Sequence, residues 1–183
     1  MKAVLDEYTG ILGIGYLFGI GIFFIADSFY RFHDYVNTVV ERATWPILAT
    51  IPLIILAYIF GLIIVQISEL VIPKLFFPTV QDKFRHSLSF VIKTDSELLN
   101  NRYQDIIKNR QLLNSGVIAF TTVGIGSGLD GSSYEGVAPI FGFIGLIGSV
   151  VIGIICPIIS AKMQEKFLED IEYMKIDNVV NQE

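Results

Sequence analysis

The residues best suited to chemistry lie in one short run, Thr121-Thr122-Val123-Gly124-Ile125-Gly126. Hydroxyl and glycine residues at this density let a backbone present oxygen atoms to a cation in place of its water shell. Other reactive side chains are scattered. Cys156 is the one cysteine, so no internal disulfide can form, and beside Pro157 it reads as a small packing residue at a kink. His33 and His86 fall in segments that the topology derived below puts on opposite faces of a membrane, which excludes a shared metal. Asp27, Glu69 and Asp130 sit at the ends of apolar segments, whereas proton relays and coupled transporters carry an ionisable residue at mid-span. No phosphate-binding glycine loop with lysine, paired-histidine metal motif or activated Ser, Cys or Asp is present in the apolar segments. The expectation is a protein with no catalytic residue, cofactor or metal.

The run at Thr121–Gly126 resembles the Thr-Val-Gly-Tyr-Gly filter of potassium channels, with Ile125 at the tyrosine position. That resemblance implies an extended strand whose carbonyls hold potassium within a ring of identical subunits. A filter loop enters from the outer face, however, and would leave seven basic residues of this chain on that face. On a helix the same residues give another reading, a pore-forming or ion-channel subunit lined by Thr121, Thr122, Gly124 and Gly126. A further run, Gly142, Gly145 and Gly148 after Pro139, is similar to the glycine-rich span of proton-driven stator proteins. The order of spans differs from theirs, and no membrane carboxylate is present to carry protons. Close helix approach in lipid explains these glycines better, and Gly15 and Gly19, with Gly10 and Gly13 nearby, read the same way. All five are expected at helix-packing or oligomer contacts.

These residues lie in a chain of 183 residues, 52% hydrophobic and 17% charged, against roughly 25% charged in a soluble domain. A net charge of -5 excludes nucleic acid as a partner, since nothing would neutralise its phosphates. A helix crosses the hydrocarbon core with about 20 apolar residues. Residues 8–26, 46–67 and 137–159 meet that length clearly; 112–129 is the most polar, with Asn114, Ser115, Thr121, Thr122 and Ser127. The start of the chain lacks both a basic cluster and a small-residue cleavage site, so the first span is not read as a secretory signal. Lys and Arg set the orientation. Of 13, eleven fall before span one, between spans two and three, or after span four; the other two are Arg31 and Arg42. The reading is an all-α, four-span transmembrane bundle with both termini in the cytoplasm, in a cell membrane of bacterial inner-membrane type.

Around the spans lie patterned connections. Phe29, Phe32, Val36, Val39, Val40 and Ala43, with Tyr30, Tyr35 and Trp45, predict a short helix in the outer interface. Pro73 and Pro78 are expected to end the second helix. Val80, Phe84, Leu88 and Val91 then form a stripe among basic residues, suited either to anionic inner-leaflet lipid or to the base of the bundle. Thr94 and Glu97 have capping-box spacing for the next helix. Residues 79–113 and 160–177 are thus cytoplasmic helical extensions. Their stripes, Leu99, Tyr103, Ile106 and Leu113 against Met163, Phe167, Ile171 and Met174, predict a hairpin continuing spans three and four roughly 21–24 Å beyond the bilayer. Arg102, Lys108 and Arg110 should border Glu165, Glu169, Asp170 and Glu172 across that seam.

The functional expectation is a non-catalytic membrane subunit, a scaffold or sensor that forms a homo-oligomer and offers its hairpin to a cytoplasmic protein partner. In architecture it resembles the small four-span membrane subunits of bacterial antiphage systems such as the Kiwa type, which implies a role in stress or antiviral defence. Span three, rich in hydroxyls, is expected toward the centre of the oligomer, and span two, rich in Ile and Leu, at its lipid-facing rim.

Overall fold

A computed structural model describes residues 2–31, 45–76, 78–94, 96–132 and 138–180. Among these the chain forms five helices and no strand: α1 (Lys2–Tyr30), α2 (Trp45–Phe76), α3 (Pro78–Thr94), α4 (Glu97–Ser132) and α5 (Ala138–Val180). Four contain stretches long and apolar enough to cross a membrane, Tyr8–Tyr30, Thr50–Phe76, Glu97–Gly131 and Gly142–Tyr173. The protein is therefore an all-helical, multi-pass membrane protein. Most of the interfacial helix expected between spans one and two falls on residues 32–44, outside the described residues.

The helix ends follow local rules, with two departures from the sequence reading. Arg31 closes α1 in the left-handed region (φ 48°), its amide donating to the Asp27 carbonyl at 2.8 Å. Pro73 does not end α2, which continues to Phe76. Proline removes one rung of the helix, and a packed span tolerates that loss. Pro78 then opens α3, where its missing amide costs nothing. Thr94 is the last residue of α3 rather than the cap of α4. Ser96 takes that role, its Oγ accepting the Leu99 amide at 3.4 Å.

α4 is the spine of the bundle. It packs on α1, α2 and α5, whereas α2 and α5 make only slight direct contact. α4 and α5, at 36 and 43 residues, each exceed the roughly 20 residues that cross a bilayer core, and their charged portions, 97–110 and 162–180, form extensions of the bundle. α3 begins where α2 stops and ends where α4 begins, so it spans the same length as these two extensions and packs with them. Its apolar stripe meets protein at Phe84 and Val91, both buried, while Leu88 stays exposed. The extension thus has three helices, where the sequence pattern alone suggested two. Its core is Phe84, Val91, Leu99, Tyr103, Ile106, Phe167 and Ile171.

Candidate functional site

Between the spans, glycine lets backbones meet directly, and the ring pairs Tyr8–Tyr58 and Phe18–Phe60 flank the α1–α2 contact. A side chain at Gly15 would strike the Ala57 carbonyl and the Gly61 amide, and one at Gly61 would strike the Ile11 carbonyl. On the α1–α4 contact a Cβ at Gly126 would stand 2.5 Å from the Gly21 carbonyl oxygen. On the α4–α5 contact, Gly142 lies against the Ser127 and Gly131 backbones and Gly145 against the Ser127 side chain. Gly15, Gly142 and Gly145 are therefore occupied within one chain. Gly19 has room, with Phe60 3.9 Å from its notional Cβ, and Gly148 is exposed with nothing within 4 Å.

The hydroxyl run is helical throughout, lying inside α4, so the extended filter geometry is not adopted. With no identical strands beside it, a helix is how this backbone satisfies its own polar groups. Thr122 Oγ1 donates to the Ile118 carbonyl at 2.8 Å, and Ser127 Oγ to the Gly124 carbonyl at 3.1 Å. A Cβ on Gly124 would meet Ser149 of α5, and one on Gly126 would meet α1. Of the four residues named for pore lining, Thr121 alone is exposed. Shielding of this span comes from α1, α2 and α5 of the same chain.

The principal polar constellation lies where the spans pass into the extension. Arg110 on α4 pairs with Glu69 on α2, Nη2 to Oε2 at 2.5 Å, and both side chains are largely buried. Asn114 Nδ2 donates to the other Glu69 oxygen at 3.4 Å, and the Arg110 guanidinium stands 5.6 Å above the Phe84 ring. One turn further along, the Ser68 and Ser115 hydroxyls meet at 3.2 Å, fully buried. On α5, Gln164 Nε2 donates to the Ser160 carbonyl at 3.2 Å and contacts its hydroxyl at 3.4 Å. The expected alignment of Arg110 with the acidic C-terminal helix is thus corrected. Its long side chain reaches back to Glu69, the nearer acid at the span boundary. Glu69 and Arg110 each read from sequence as ordinary flanking charges. The missed signal was that one acid and one base stand at matching ends of successive spans.

In the extension, Tyr103 stacks on Phe84 with ring centres 4.9 Å apart, and Phe167 lies 5.8 Å from both. Burial pushes the Tyr103 phenol above its ordinary range, with Arg110 and then Arg85 pulling the other way. Arg102 reaches Asp170 at 2.5 Å on the surface. Two seam residues sit elsewhere: Leu113 packs with a smaller cluster of Ile72, Val117 and Cys156, and Met163 is half-buried outside both cores. The Met174 side chain lies outside the described residues. An open groove of about 730 Å³ runs between α3 and α5, bordered by Asp82, Lys83, His86, Glu165, Glu169 and Glu172. Among the described residues, no three His, Cys, Asp or Glu side chains converge on a metal position.

The chain matches no protein-family model, no curated protein and no solved structure. The polar layer of Glu69, Arg110 and Asn114 ties α2 to α4 and, through the Phe84 ring, touches α3 at the same level.

Proposed function

We propose that the protein is a non-catalytic membrane subunit, a scaffold or sensor that self-associates and offers its three-helix extension to a soluble partner protein in the cytoplasm. The observation that carries this reading is the continuity of α4 and α5, each one helix from span to extension core. A shift of one span against another moves the extension with it, because packed helices shift as rigid bodies. The charged groove between α3 and α5 supplies a surface for the partner. The excess of Lys and Arg on the extension side supports its placement in the cytoplasm. The reading extends to a bacterial inner-membrane setting, with stress or antiphage defence as the process, on the resemblance in architecture alone. For self-association the open faces around Gly13 and Gly148 are available contacts.

A pore lined by span three is less well supported, since Gly124 and Gly126 already face neighbouring helices of the same chain. Affinity purification in mild detergent should recover a homo-oligomer together with a soluble protein, and single-channel recording in lipid should show no unitary currents. Unitary currents would replace the scaffold with a pore. Cysteines introduced at Ser132 or Asn37 should label from outside intact cells and those at Ser96 or Asn181 should not. Outside labelling at Ser96 would reverse the orientation.

A further inference from the structure

At the junction of α2, α4 and α5 lies a cavity of about 10 Å³, bordered by Asn114, Ser160, Gln164, Pro73 and Pro157 among others. That is about the least space that holds one water molecule. Gln164 is 6% exposed, yet its Oε1 has no hydrogen-bond partner, because the amide nitrogen of the same group is directed to Ser160. Asn114 and Ser160, both buried, bring further acceptor oxygens to the same space. Pro73 and Pro157 bring no amide donor to its lining. The site is rich in acceptors and short of donors, and water supplies two hydrogens.

We propose that this cavity is a built site for a single structural water that donates to Gln164 Oε1 and links α5 to Asn114 on α4. Asn114 already holds Glu69 of α2, and Glu69 holds Arg110. The water is then the missing member of a clasp across three helices, joining α5 to a pair of helices of which it touches α2 only slightly. It sits where both proline-interrupted helices leave the spans for the extension, so it sets the angle at which α5 departs. A buried polar group with a bridging water is satisfied nearly as well as by a direct bond.

Two measurements on the full chain in lipid nanodiscs test this. A structure at a resolution that shows ordered water should place one within about 2.5–3.0 Å of Gln164 Oε1. An empty or apolar-filled cavity overturns the proposal. The second is water-to-protein magnetisation transfer by NMR on the unaltered chain in the same nanodiscs. A long-lived water at this site gives a cross-peak to the Gln164 side-chain amide protons, which stand beside Ser160. Absence of that cross-peak counts against the site.

Discussion

Where α1 meets α2, the backbones touch at Gly15, Ala57 and Gly61, with the ring pairs Tyr8–Tyr58 and Phe18–Phe60 beside them; where α3, α4 and α5 meet in the extension, the contact is made by the side chains of Phe84, Tyr103 and Phe167. In the proposed topology the two regions have different solvents. Lipid tails are as apolar as leucine, so burying a large side chain between spans yields little, and association rests on close backbone approach. The N-terminal part of α2 shows the consequence, with Ile51, Leu53, Ile54, Ile55 and Leu56 exposed around the whole helix. On the cytoplasmic placement proposed for the extension, water surrounds its helices, and each apolar Å² removed from it contributes about 25 cal/mol. Phe84 and Phe167, each 1% exposed, exploit that term fully. The polar layer of Glu69, Arg110 and Asn114 lies where one regime gives way to the other.

The contrast can be broken first at its glycine end. Gly15→Leu should abolish recovery of folded protein from detergent extracts, because its side chain meets backbone that cannot move aside. Gly148→Leu should leave monomer folding unchanged, since nothing stands near it. Equal behaviour of the two would remove the argument from close approach. At the aromatic end, Phe167→Asp puts a charge into the extension core. Loss of the ring alone costs about 3–5 kcal/mol, and the charge adds to it. Limited proteolysis should then cut within Glu97–Arg110 while the spans stay protected, and an uncut extension would show that the core is not what holds it.

The boundary layer comes next in size. Glu69→Ala leaves Arg110 without its partner and should destabilise by about 3–5 kcal/mol, whereas replacing both residues with Met should recover most of the loss. Thermal melts of the single and double variants check this. A double variant as weak as the single would mean that the pair does more than neutralise itself. Tyr103 gives a smaller, pH-dependent effect. Its phenol is raised by burial, so the stability it contributes is intact below the ordinary value of about 10 and is lost as pH rises through the higher folded value. Ultraviolet titration should show one phenol ionising late, together with loosening of the extension. The smallest effect belongs to Arg102→Ala, whose exposed pair with Asp170 is worth about 0.2–1 kcal/mol.

The sequence by itself determined the all-helical class, the apolar spans, and most residues of the extension core. Those properties depend on run length and on a 3.6-residue period, both local. Leu99, Tyr103, Ile106, Phe167 and Ile171 were legible because each recurs on one stripe of its own helix. Period names the face a residue occupies but not the neighbour that will cover it. Tertiary structure alone therefore decided that Phe84 and Val91 of α3 join that core, and that Leu113 leaves it for Ile72 and Cys156. It also decided that Arg110 takes Glu69 instead of the C-terminal acids, because a long flexible side chain reaches several partners and sequence does not order them. Glycine is the extreme case. With no side chain to give direction, Gly15 and Gly142 could serve contacts within a chain or between chains, and only the packed helices show them turned inward.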